Sequence, residues 1–231
     1  MVNYAVYNND ASTIDFTLDS GDVSVTDEGF LQLELTKSNG GPRISLTRPV
    51  YYGTVTTKMR TTNSQGVISS FASLLDFPIQ GRRRGSGKEL ADSGGVGVWQ
   101  ITFSGVRDEI DLEWVGTGGS NGVQSNWYWE GLVPDDDRGI QHNYTQESSV
   151  TPVEVAIDWQ EDTLQWLING EIVRTVNKND TIDSNGITNY PDTPSRIQFG
   201  VWASGAKGES QSTKDWGTRS AMPNQTRHCC S

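Results

Sequence analysis

The run Asp108-Glu109-Ile110-Asp111-Leu112-Glu113-Trp114 carries the residue types most suited to chemistry. Side chains of a β-strand alternate between its two faces. Glu109, Asp111 and Glu113 therefore share one face, and Ile110, Leu112 and Trp114 the other. The apolar set reads as core and fixes the register, leaving a row of three carboxylates with no Lys or Arg between them. Like charges that close raise one another's pKa, so the three are not all ionised at neutral pH. Retaining glycosidases use this situation: one carboxylate attacks the anomeric carbon, and a second, kept protonated, donates to the leaving oxygen. Residues i and i+4 of a strand lie about 13 Å apart at Cα. Side chains leaning together over a concave sheet bring the carboxyls to about 5–6 Å, near a retaining pair and below the roughly 6.5–9.5 Å of an inverting one. Asp111, between them, is placed to hydrogen-bond Glu109 and hold its orientation and charge state. Spacing alone leaves two other readings open, a solvated acidic face and a calcium site of oxygen ligands. Against the second, these residues sit on a regular strand, without the Gly or Asn turn chemistry of a calcium loop.

The elements that must position this row read as strands. Short β-rich runs occur at Phe30–Leu35, Tyr52–Arg60 and Val67–Phe71. Val153, Val155, Ile157 and Trp159 alternate strictly, as do Ile197, Phe199 and Val201, which marks half-buried strands. Thr163–Ile168, then Asn169-Gly170, then Glu171–Val176 predicts a hairpin closed by a type I′ turn. No sustained helical periodicity is present. Many short strands with frequent turns indicate an all-β sandwich, jelly rolls included. A length of 231 residues fits a single domain spanning 1–231.

Composition narrows the partners. A net charge of −11 disfavours nucleic acid, and no apolar run approaches the roughly 20 residues of a membrane helix. The 8 Trp, 7 Tyr and 6 Phe argue against disorder, and an acidic chain rich in Gly and Trp points to an uncharged or cationic partner, with sugars high among them. Cys229 and Cys230 are adjacent and make a poor staple between distant segments. The chain opens MVNYAVYNND, without a secretory leader, yet it carries sequons at Asn143, Asn179 and Asn224.

Two stretches break the pattern. Residues 72–100, with Arg82-Arg83-Arg84 and several glycines, have no period, and neither has the polar tail 217–231. Both are expected to be poorly ordered and dispensable for the chemistry: an atypical insertion, and a truncated tail lacking closing strands. Three arginines in so acidic a chain read as a solvated loop.

The carboxylate run resembles the E-[IL]-D-x-E active-site signature of glycoside hydrolase family 16. Further similarities follow in order: Gln124-Ser125-Asn126-Trp127-Tyr128; Asp137-Arg138-Gly139; Ile157-Asp158-Trp159; Trp166-Leu167-Ile168-Asn169-Gly170 with Val173-Arg174-Thr175; and Tyr190-Pro191-Asp192-Thr193-Pro194-Ser195-Arg196, leading into Gly200-Val201-Trp202-Ala203. The set, from about Phe30 to Trp216 but excluding residues 72–100, resembles the fungal Crh-type transglycosylases, which link chitin to β-glucan in the cell wall. That resemblance implies a β-jelly-roll of two antiparallel sheets with a sugar cleft across its concave face. It implies Glu109 as nucleophile, Asp111 as helper and Glu113 as general acid/base, with no cofactor or metal. It places Gln124, Asn126, Tyr128, Trp159 and Trp202 in or beside the cleft, where aromatic rings pack on sugars and amides bond hydroxyls. Taken by strand pattern alone, Trp159 and Trp166 read as core. Arg138 receives no catalytic role.

The expected function is that of a retaining glycosidase/transglycosylase acting on chitin and β-glucan by double displacement, secreted to the fungal cell wall, glycosylated and monomeric. The alternatives are a non-catalytic, lectin-like jelly roll and an inactive family member. The intact carboxylate trio discriminates against the lectin, which has no need of it.

Overall fold

The structure is a computed structural model, and it describes residues 2–3, 15–38, 40–74, 108–116, 121–132 and 138–218. In chain order the strands are β1 (Val2–Asn3), β2 (Phe16–Ser20), β3 (Val23–Val25), β4 (Leu31–Leu33), β5 (Arg43–Leu46), β6 (Gly53–Met59), β7 (Val67–Leu74), β8 (Glu109–Val115), β9 (Gly122–Tyr128), β10 (Ile140–Asn143), β11 (Val153–Trp159), β12 (Thr163–Ile168), β13 (Glu171–Asn177) and β14 (Arg196–Ala203). One helix, α1 (Gln211–Thr218), follows.

The strands form an eight-stranded sheet, β1-β2-β5-β14-β7-β8-β9-β10, a four-stranded sheet, β13-β12-β11-β6, and the separate pair β3-β4. All pairings are antiparallel except β1 with β2. Between the two larger sheets lies the core. Phe71, Ile110, Leu112, Trp114, Val123 and Trp127 come from one sheet; Val153, Val155, Ile157, Trp159, Leu164, Trp166 and Ile168 come from the other. Each is a member of a period-2 alternation, so a strand that buries one of them buries the set. Full burial of a side chain such as Leu112 contributes roughly 1.5–3 kcal/mol. This is the all-β jelly-roll expected from the strand pattern.

The β12–β13 hairpin has the expected turn, with φ of 51° at Asn169 and 84° at Gly170. Both central positions of a type I′ turn require positive φ, which Asn and Gly tolerate best. The run around Phe30 differs from expectation: among the described residues β4 pairs only with β3, and Phe30 and Leu31 stay exposed.

Residues 72–74 belong to β7, hydrogen-bonded between β8 and β14, so an insertion beginning at residue 72 is corrected to a later start. The flanking ladders extend the strand past the point where the sequence pattern weakens. The rest of the expected insertion, with Arg82 to Arg84, and the tail from residue 219 lie outside the described residues. α1 was not anticipated, because it has no apolar stripe. It is capped by Ser210, whose Oγ accepts from the Thr213 N–H at 3.0 Å. Among the described residues no helix is long and apolar enough to cross a membrane.

Candidate active site

Strand β8 sits between β7 and β9 in the middle of the large sheet. Its register with β9 sets Glu109 opposite Tyr128, Asp111 opposite Asn126 and Glu113 opposite Gln124. Antiparallel partners share a face. Six of the expected site residues are therefore gathered on the face turned away from the core, here called the open face. Ile110, Leu112 and Trp114 face inward, each at most 2% exposed. Trp202, on β14, is level with Ile68 of β7 and through it with Val115, which puts it on the open face at the Glu113 end.

Asp111 is 4% exposed, whereas Glu109 and Glu113 are half-buried. Burial, and then the charge of Glu109, push the Asp111 pKa well above the usual carboxylate range. Arg174 and the main-chain N–H of Asn126 pull the other way. Glu113 is also pushed well up, by desolvation first and by Asp111 second, against a hydrogen bond from Trp202. In both groups the balance of burial and neighbouring charge favours the protonated form. Tyr128 is raised as well, by burial and then by the three carboxylates, so its hydroxyl stays protonated. It accepts from Asn126 Nδ2 at 2.8 Å.

The row is anchored from below. Trp166 Nε1 donates to the main-chain oxygen of Asp111 at 3.0 Å. The Arg174 guanidinium lies 4.7 Å from the centre of the Trp166 ring and donates through Nη1 to the main-chain O and the Oγ of Ser125, both at 2.9 Å. Ser125 Oγ is 2.8 Å from His142 Nε2. Burial, and then Arg174, depress the His142 pKa to about 4, so this imidazole is neutral. The Arg138 guanidinium covers the Trp127 ring, 4.0 Å from its centre.

Two neighbours of the row lay outside the sequence expectation. Asp108, 1% exposed, accepts from Glu130 N at 2.9 Å, Asp192 N at 2.7 Å, Thr193 N at 2.9 Å and Thr193 Oγ1 at 2.7 Å. It ties two loops to the start of the carboxylate strand. Burial raises its pKa, and these bonds oppose the rise. The available signal was a charged residue directly before a core strand. The other is Trp216 of α1, which donates from Nε1 to Gln124 Oε1 at 2.9 Å and stacks on Trp202, with centroids 6.1 Å apart and planes at 26°. Gly217 lets the helix approach so closely, since Ser204 leaves no room for a Cβ there.

Trp159 does not join the site. It lies on the four-stranded sheet, 3% exposed within the core, with Nε1 donating to Pro191 O at 3.0 Å. Its cleft placement is corrected. The alternation of β11 turns Trp159 inward with Val155 and Ile157, as its strand pattern indicated.

A jelly roll bearing a strand-borne E-x-D-x-E row beside amides and indoles defines a glycoside hydrolase type of protein. The profile of Glycosyl hydrolases family 16 matches residues 10–80 and 81–218, and the chain belongs to that family. It is 32% identical over 192 residues to Crh-like protein UTR2 of Candida albicans, covering 80% of this chain and 33% of that protein. It is 29% identical over 206 residues to Congo red hypersensitive protein 2 of Saccharomyces cerevisiae, covering 85% and 36%. The chain thus spans about a third of the length of these relatives. Among solved structures it is similar to Crh5 transglycosylase in complex with NAG, with a TM-score of 0.67 and 24% identity over 89% of this chain and 71% of that one. It is also similar to a Bacillus licheniformis β-glucanase, with a TM-score of 0.58 and 20% identity over 88% and 76%.

Proposed function

We propose that this chain is a retaining glycosidase/transglycosylase domain acting on cell-wall polysaccharide, with chitin and β-glucan as donor and acceptor, outside the fungal cell. The observation that carries the reading is the arrangement of Glu109, Asp111 and Glu113 on one open face, where burial and Asp111 raise the Glu113 pKa. Family membership and the similarity to a Crh5 transglycosylase that binds NAG support the substrate class.

In the first displacement the Glu109 carboxylate attacks the anomeric carbon and the glycosidic C–O bond breaks. The Glu113 proton passes to the departing oxygen. Asp111, protonated beside Glu109, donates a hydrogen bond that orients the nucleophile and stabilises its charge when it is later released. In the second displacement Glu113, now ionised, takes the proton of an incoming hydroxyl. That oxygen bonds to the anomeric carbon from the face the first group left, so configuration is retained. A sugar hydroxyl gives transfer, and water gives hydrolysis. Trp202, Trp216 and Gln124 gather at the Glu113 end, where they would hold the departing and incoming groups.

The test is incubation with chitin oligomers and a fluorescently labelled β-1,3-glucan acceptor. Labelled hybrid products are expected, and first-formed products of retained configuration by NMR. Products of inverted configuration overturn the mechanism. Purely hydrolytic products with abundant acceptor remove the transferase reading. Sugar binding without turnover favours the lectin alternative.

A further inference from the structure

The open face continues past the carboxylates. At the level of Asp111 the Cα partners run Asn126, Asp111, Ala72, Gln198 and Ser45, across β9, β8, β7, β14 and β5. Gln198 therefore points to the same side as Asp111, while its neighbours Ile197 and Phe199 pack with the core. Two strand spacings separate them, about 10 Å. The floor between them is small: Ala72 lies in that row, and Ser70 is paired with Gly200 in the next.

Gln198 is 3% exposed, yet among the described residues neither its Nε2 nor its Oε1 has a hydrogen-bond partner. Ser70, Ser45 and Arg196 beside it are engaged. Ser70 Oγ donates to Gly200 O at 3.3 Å, Ser45 Oγ donates to Asp19, and Arg196 donates to Leu46 O at 2.7 Å and to Thr17 Oγ1 at 3.0 Å. Buried amides are normally paired, and one left unpaired costs stability unless a ligand completes it. Three rotatable side-chain bonds allow this amide to swing up from the floor.

We propose that Gln198 is a specificity-determining residue that pairs with the 2-acetamido group of an N-acetylhexosamine unit, in a subsite beyond the reacting sugar. The inference rests on the glycosidase reading above. A primary amide offers a donor and an acceptor side by side. The acetamido group is a trans amide with its N–H and C=O on opposite sides, so its carbonyl accepts from Nε2 while the neighbouring C3 hydroxyl, which a 1,3-linked glucan unit lacks, donates to Oε1. A lone hydroxyl meets them one at a time.

The experiment compares the wild-type chain with Gln198→Met by calorimetric titration with chitin oligomers and with β-1,3-glucan oligomers, together with thermal melting. Met fills similar space without polar atoms. The variant is expected to bind chitin oligomers at least tenfold more weakly, to bind the glucan oligomers as before, and to melt at or above the wild-type temperature. A merely structural amide would lower the melting temperature instead, and that result overturns the proposal. So does unchanged chitin-oligomer affinity, or an equal loss for both sugars. If the wild-type chain binds neither oligomer, the glycosidase reading itself fails and this inference falls with it.

Discussion

Two ends of one short segment handle buried carboxylates in opposite ways. At the start of β8, Asp108 is sealed from water and accepts four hydrogen bonds, three of them from main-chain N–H groups. Three residues on, Asp111 is as deeply buried but has the Glu109 charge beside it, with Arg174 and the Asn126 N–H in opposition. The first arrangement makes the carboxylate a structural knot. The second leaves a group whose charge is costly and whose proton is available. Burial alone thus does not make a carboxylate reactive; the supply of donors decides. Glu113 extends the second pattern, with one hydrogen bond from Trp202 against desolvation and Asp111.

The largest expected effects break the reactive half. Glu109→Gln should abolish the covalent glycosyl-enzyme, read by mass spectrometry after reaction with an activated aryl glycoside. Glu113→Gln should slow turnover of natural polysaccharide by about 10²–10⁴-fold, yet still form that intermediate, since an aryl leaving group needs little protonation. Equal trapping by both variants would reverse or remove these roles.

Next in size is the contrast between the two aspartates. Asp108→Ala strands four donors in the interior and should lose at least about 3 kcal/mol in urea unfolding. Asp111→Asn removes a costly charge; it should leave stability at pH 7 unchanged or raise it by about 1 kcal/mol, while activity falls. Equal destabilisation by both would show that the reactive row is also a scaffold.

The comparison also fixes the direction of pH effects. Asp111 and Glu113 have folded pKa values above the ordinary 3.8 and 4.5. The folded chain then holds protons that the unfolded chain has released, so stability falls as pH rises from those values through the raised ones. Activity should decline over the same alkaline side as Glu113 loses its proton. His142 acts oppositely: with a folded pKa of about 4 against an ordinary 6.5, it costs stability as pH falls through that interval. Melting temperature against pH should pass through a maximum, and Asp111→Asn should flatten its alkaline limb.

The smallest effect expected is that of Trp216→Phe. It keeps the ring stacked on Trp202 but loses the bond to Gln124. A loss of roughly 0.5–1.5 kcal/mol corresponds to a few-fold weaker transfer to acceptor sugars with folding intact. An unchanged acceptor dependence would confine α1 to a structural role.

Much of this protein was readable from local periodicity. The alternation in residues 108–114 fixed which carboxylates share a face, because a strand's side chains alternate whatever it pairs with. The Asn169-Gly170 hairpin was equally local, since its turn depends on two residues that tolerate positive φ. Periodicity also marks one buried face on β11, but it cannot say which sheet that strand joins. Trp159 therefore turned out to be core rather than cleft. Three features depended on contacts distant in sequence: the loops that converge on Asp108, the helix that brings Trp216 to Gln124, and the unpaired amide of Gln198 level with Asp111. Strand pairing and chain reversal create these neighbours, and a hydrogen-bond partner 84 or 92 residues away leaves no mark on the local pattern.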